Sequence, residues 1–300
     1  MYQEFIIGGL NVNIYGLDNL NQSKKLGIVC QFLLHGRGES QLGEIYKHIA
    51  EKCISETYNT PDRERNLIVV TLDHRNHGSR FINEIYNQGW PKNANHCIDM
   101  FSIQHGTSLD VSYLIDYLPP FLFPNDEHNI VDWACSGLSL GGHSTWLALR
   151  QDSRISVGVP MIACADYLSL MNERGSKYDI KLEQPVLPST LAYNISKFDP
   201  MASFENSKES WNGKKICVLS GNDDKLVPHK HQVKFIDNLK NYYQTKDGVI
   251  VAKAFEGVKH EVNEEMQITC ARFILNAAVL CKSYEELQEI GLKTNLLSKM

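Results

Sequence analysis

The stretch WACSGLSLGGHSTW, residues 133–146, opens apolar, turns glycine-rich around a serine, and then continues with the composition of a helix. Within it, Gly137-Leu138-Ser139-Leu140-Gly141 fits the pattern G-x-S-x-G, in which a serine is held on a sharp strand-to-helix turn. The need for glycine is steric: strand and helix approach so closely that the flanking positions must be small. The same turn aims the first amides of the helix at whatever the serine attacks. Ser136 is the nearest competitor, but it belongs to the end of the strand and has no flanking glycines.

Serine is a weak nucleophile, so the turn needs a base and an orienting acid, in the chain order serine, acid, histidine. Two later apolar runs end in suitable loops: KICVLS (215–220) before GNDDKLVP, and VIVAKAF (249–255) before EGVKHEV. His260, just after Gly257, is the expected general base. His229 and His231 begin a helix, His143 follows the serine on its helix, and His74 and His77 lie in another loop. For the acid, Asp223 and Asp224 are adjacent, and Asp166 after an earlier strand is a third candidate; residue type and position leave the three open. An oxyanion needs two backbone N–H donors. Leu140, directly after the serine, supplies one, and Arg37 in the turn His35-Gly36-Arg37-Gly38 supplies the other.

The rest of the chain alternates in the same way. EFIIGGLNVNIYGL reads as a two-stranded ribbon, and GIVCQFLLHGRG as a strand apolar on both faces. Leu42, Ile45, Tyr46, Ile49, Ala50, Cys53 and Ile54 then recur at helical spacing. Strand NLIVVTL (66–72), a helix carrying Val111, Leu114, Ile115 and Leu118, and strand IVDWACS (130–136) follow. Beyond the serine helix come strand VGVPMIAC (157–164), a helix over 231–239 between the last two strands, and a closing helix over 264–281. Strands interleaved with amphipathic helices imply a mostly parallel sheet with helices on both faces. Residues 166–213 break the rhythm, with prolines at 185, 188 and 200, and are expected to form a small cap over the ligand-binding edge of the sheet. The expected core is therefore 1–165 and 214–282, with 283–300 as a C-terminal tail.

Composition narrows the function. The chain has 300 residues, 43% of them hydrophobic, and a formal net charge of −5. With a sequence pI near 6.1 and no basic run, a nucleic-acid surface is not expected. The start, MYQEFIIGGL, lacks the basic region of a secretory signal, and no apolar run approaches the thickness of a bilayer, so a soluble cytoplasmic protein is expected. The eight cysteines are scattered without a C-x-x-C pair, several inside strands, so neither a disulfide framework nor a metal site is expected. The sites at Asn21 and Asn194 that fit N-x-S/T carry little meaning without secretion.

Taken together, HGRG, GLSLGGH, GNDDKLVP and GVKH resemble the α/β-hydrolase superfamily over nearly the whole chain. The resemblance implies a central sheet of about eight strands. The D-x-x-V-P spacing in Asp224-Lys225-Leu226-Val227-Pro228 is similar to the acid loop of the esterase and prolyl-oligopeptidase branch, which implies Asp224 as the acid. Asp73-His74-Arg75-Asn76-His77-Gly78 is similar to a structural loop D-x-R-G-x-G of that superfamily, with Asn76 in place of glycine. HCIDMFSIQHGTSLDVSYLIDYLP with GLSLGGH resembles a group of fungal α/β-hydrolases, a likeness that supplies no substrate.

The expectation is a serine hydrolase acting on a carboxylic ester of a small acyl substrate through Ser139, His260 and Asp224, with no metal or organic cofactor. A peptide or amide hydrolase and an acyltransferase would use the same three residues. Prolyl oligopeptidases carry a large further domain, whereas here the hydrolase fold takes up almost all of the sequence, which favours the small substrate. A non-catalytic protein using the cap as a ligand pocket is the rival of another class. Finally, Ser298-Lys299-Met300 differs from the peroxisomal address S-K-L only in its last apolar residue, which makes peroxisomal import the alternative to the cytoplasm.

Overall fold

The structure, a computed structural model, describes residues 1–20 and 26–296. The Ser298-Lys299-Met300 motif therefore lies outside the described residues. Eight strands form one sheet: β1 (Tyr2–Ile7), β2 (Leu10–Tyr15), β3 (Ile28–Leu34), β4 (Asn66–Leu72), β5 (Ile130–Leu138), β6 (Ile155–Met161), β7 (Lys215–Gly221) and β8 (Val249–Phe255). Their order is β1-β2-β4-β3-β5-β6-β7-β8. β2 runs antiparallel to both β1 and β4, and from β4 across the sheet to β8 every pairing is parallel. The β1–β2 ribbon turns at Gly8 and Gly9, both at positive φ.

Parallel strands need long crossovers, and helices supply them. They are α1 (Glu44–Tyr58), α2 (His96–Leu122), α3 (Leu140–Gln151), α4 (Tyr167–Ser176), α5 (Ser189–Phe198), the short α6 (Pro200–Ser203) and α7 (Lys230–Tyr242); α8 (Glu264–Ile274) and α9 (Tyr284–Leu296) follow the last strand. Because side chains alternate along a strand, β3 feeds two cores. Cys30, Phe32 and Leu34 pack with residues of α2, α3 and α7 on one face, and Val29 and Leu33 with α1 and α8 on the other. Leu42, expected on the α1 stripe, stands just before the helix and is exposed. The closing helix runs regularly to Ile274 and then widens into a π-turn over Leu275–Val279.

The segment 166–213 divides between two places. Tyr167, Leu170 and Met171 of α4, with Leu191 and Ile195 of α5, pack on Cys97, Met100 and Phe101 of α2, forming a third core beside the serine turn. Residues after α6 instead return to the main core. Trp211 is fully buried against Trp146 and Phe235, with ring centroids 6.2 and 5.0 Å away. Two large aromatics, Phe204 and Trp211, have enough apolar surface to hold this stretch in the main core. The expected tail likewise contains α9, whose Leu287 is buried in the core of the α1 and α8 face. Among the described residues no helix is long and apolar enough to cross a membrane.

Candidate active site

Ser139 stands between β5 and α3 with φ 51° and ψ −109°, a conformation that costs an L-residue on the order of 1–3 kcal/mol. What holds it there is close packing. A Cβ on Gly137 would lie 2.4 Å from the Gly141 carbonyl, and one on Gly141 would lie 2.2 Å from the Leu34 carbonyl oxygen. The Ser139 N–H donates to Met161 O (2.9 Å), which ties the turn to the end of β6. Ser136 is buried inside β5, where its Oγ accepts from Gln31 Nε2 (2.7 Å) and donates to Phe32 O (3.2 Å).

The loops after β7 and β8 are laced together by backbone. Asn222 N–H donates to Phe255 O and Asp223 N–H to Val258 O, both at 2.9 Å. Gly221 permits this approach, since a Cβ there would lie 2.3 Å from Lys259 O. The lacing turns Asp223 outward and Asp224 inward. Asp224 Oδ2 accepts from His260 Nδ1 at 2.7 Å, and His260 Nε2 faces Ser139 Oγ at 2.9 Å. Asp224 Oδ1 accepts from the Leu226 and Val227 N–H groups at 2.8 and 2.9 Å. Burial by itself raises the Asp224 pKa, but the His260 hydrogen bond and these two amides outweigh it and hold the carboxyl below its ordinary range. Asp166, the third candidate, caps α4 by accepting from Ser169 N–H at 2.9 Å.

The turn after β3 is fastened from below. His35 Nδ1 donates to Gly36 O (2.7 Å), His35 Nε2 accepts from His74 N–H (3.0 Å), and His74 Nε2 donates to His35 O (2.8 Å). Burial pushes His35 down to about 4, so it stays neutral in these roles. The Gly36 N–H is engaged by Tyr46 Oη at 2.7 Å, and Arg37 follows at the rim of the site. The Asp73–Gly78 loop braces this turn. Asp73 accepts from Gln41 N–H and from the Ser79 N–H and hydroxyl, each at 2.8 Å. Asn76 takes φ 60°, the left-handed region that glycine favours and asparagine tolerates. Its side chain then closes the loop on Ile82 and Asn83 N–H.

Leu140 is the first residue of α3, so its N–H has no carbonyl one turn behind it within the helix. Arg37, Ser139, Leu140 and His260 all line one cavity of about 340 Å³, whose wall also contains His143 and Arg174. His143 is buried, donates from Nδ1 to Cys164 O (3.0 Å), and is pushed down to about 3 by burial and then by the charge of Arg174. Arg174 was not anticipated from the sequence. It stands one turn beyond Leu170 and Met171 on the face of α4 that points into the protein, and no local pattern marks it.

A model of the prolyl oligopeptidase family matches residues 128–276, the part that carries Ser139, Asp224 and His260. No curated protein matches the chain. Among solved structures, TT1662 from Thermus thermophilus aligns over 92% of this chain and 97% of its own, with 16% identity and TM-score 0.64. This chain is an α/β-hydrolase-fold protein. The fold is shared with Est1E from Butyrivibrio proteoclasticus, solved with ferulic acid (15% identity, 92% of this chain and 98% of that one, TM-score 0.53). It is shared too with the acylaminoacyl peptidase of Pyrococcus horikoshii (14% identity, TM-score 0.57), where 92% of this chain spans 40% of the peptidase. The family match, in a hydrolase fold common to esterases and peptidases, supports a serine hydrolase.

Proposed function

We propose that this protein is a serine hydrolase that cleaves a carboxylic ester of a small acyl substrate through an acyl-enzyme. One observation carries the reading: the relay of 2.9 and 2.7 Å contacts from Ser139 through His260 to Asp224, opening on a cavity of about 340 Å³. His260 Nε2 takes the Ser139 proton as Oγ attacks the carbonyl carbon, and Asp224 keeps the other imidazole proton on Nδ1. The tetrahedral oxyanion is received by the N–H groups of Leu140 and Arg37, the former at the positive end of α3. His260 then passes its proton to the leaving alcohol. A water, deprotonated by the same imidazole, releases the acid and restores Ser139.

An ester is favoured over a peptide because a cavity of this volume suits a small acyl group, and because a cold-adapted esterase from an Arctic intertidal metagenomic library aligns over 91% of this chain and 91% of its own. An amide or an acceptor alcohol would run on the same relay. The test is labelling with a fluorophosphonate, followed by turnover of p-nitrophenyl esters of graded chain length. Ser139→Ala is expected to stay folded while losing labelling and on the order of 10⁴-fold or more in turnover. Labelling that persists in the variant would sink the assignment.

A further inference from the structure

Arg37 and Arg174 come from distant parts of the chain, the turn after β3 and the inner face of α4, yet they line the same two chambers. Both line the cavity containing Ser139, and both line a second chamber of about 280 Å³ beside it, walled also by Trp90, His96, Lys177 and Tyr178. Neither arginine forms an ion pair among the described residues. Among the described residues, Arg37 Nη1 and Arg174 Nε are buried from solvent without a hydrogen-bond partner, and Arg174 Nη2 donates to Leu226 O at 3.1 Å. A buried, unpaired donor on a cation is costly, and two side by side more so.

Carboxylates near enough to relieve them are committed or remote. Glu39 is bound to the Tyr46 hydroxyl and the Gly36 N–H, Glu261 is exposed at the mouth of the first cavity, and Asp224 serves His260. The second chamber has no acidic residue in its lining, and Lys177 at its edge adds a third positive charge, 3.9 Å from Glu173 Oε1. The surroundings register the excess. Arg174 is depressed by burial and then by Arg37, and His96 is pushed down to about 3 by burial and then by both arginines. A planar guanidinium with free N–H groups is suited to hold the oxygens of a carboxylate or phosphate.

We infer that the ester taken by this site carries an anionic group, a carboxylate or a phosphate, which seats between Arg37 and Arg174 while its acyl carbonyl faces Ser139. The inference rests on the serine-hydrolase reading and adds the charge of the substrate to it. The anion would satisfy the orphaned donors and fix the distance from charge to carbonyl, so that remote binding energy positions the reacting bond.

The experiment compares mono-p-nitrophenyl glutarate with p-nitrophenyl pentanoate, which share leaving group and acyl length and differ in the terminal carboxylate. In parallel, inorganic phosphate is tested for protection of Ser139 against fluorophosphonate. A carboxylate seat gives a higher kcat/KM for the glutarate ester, and Arg174→Gln lowers the ratio of the two values ten- to a hundredfold, with Arg174→Lys lowering it less. A phosphate seat gives protection by phosphate that Arg174→Gln removes. If Ser139 labels normally but Arg174→Gln changes neither the ratio nor the protection, the inference is overturned and the hydrolase reading stands. Equal loss on both esters also overturns it, because it would assign Arg174 to the reacting carbonyl. Failure of Ser139 to label takes down the hydrolase reading and the inference with it.

Discussion

Asp224→Asn should inactivate the protein without unfolding it, and the structure says how. The two carboxylate oxygens have separate duties: Oδ1 accepts from the Leu226 and Val227 N–H groups, and Oδ2 from His260 Nδ1. An asparagine has one carbonyl oxygen, and the two fixed backbone donors hold it on their side. Its NH₂ must then point at His260 Nδ1, which becomes an acceptor, so the imidazole proton moves to Nε2, the atom facing Ser139 Oγ at 2.9 Å. The base is then in the wrong tautomer. A tautomer error of this kind costs about 10⁴-fold in kcat, or about 5.5 kcal/mol of transition-state stabilisation. The fold should lose far less, since both backbone donors keep their acceptor. Asp223→Asn is the control: Asp223 is exposed and joins the lacing only through its backbone N–H, so its rate should stay within about twofold. Turnover of p-nitrophenyl acetate, with a thermal melt for each variant, decides the matter. Comparable losses at both positions, or an Asp224→Asn enzyme within tenfold of the parent, would refute this account of the acid.

Gly141→Ala should be among the most damaging single-methyl changes in the chain, because its Cβ would fall 2.2 Å from the Leu34 carbonyl oxygen. A cost of about 3 kcal/mol, with loss of labelling at Ser139, is expected in chemical denaturation and fluorophosphonate assays. Lys214 is buried and donates from Nζ to Asp152 O (2.8 Å) and Ile155 O (2.6 Å), so Lys214→Ala should cost about 2–4 kcal/mol, read as a lowered denaturation midpoint. Asp224 has a folded-state pKa below its unfolded value, so its contribution to stability is complete above about pH 4 and is lost as pH falls through the lower folded value. The melting difference between parent and Asp224→Asn should therefore shrink as pH falls below about 4; a difference that grows in that range would contradict the sign.

The order of strands and helices was legible because burial on both faces leaves a plain mark. β4 occupies the residues expected from its apolar run, and β3 and β5 begin and end near theirs, since a central parallel strand tolerates few polar side chains; β8, at the edge of the sheet and only partly buried, matches its run as well. The serine turn was legible for a different reason: glycines at 137, 141 and 142 are required by close approach, and that requirement is local. The strand ends, which carry Ser139, Asp224 and His260, could be found by reading where each apolar run stops.

Other features depended on contacts between residues remote in sequence. Asp223 and Asp224 are chemically alike, and the lacing of the β7 and β8 loops turns one outward and the other toward His260. Phe204 and Trp211 look like part of an irregular insertion until Trp146 and Phe235 offer them a core. Arg37 and Arg174 are ordinary surface residues by composition, and only the packing of α4 on α2 places both around one pair of chambers. What the sequence by itself determined is whatever one segment must do to bury its apolar side chains and close its own turns. Which side chains face each other across a cavity depends on how the finished elements stack, and no single segment carries that information.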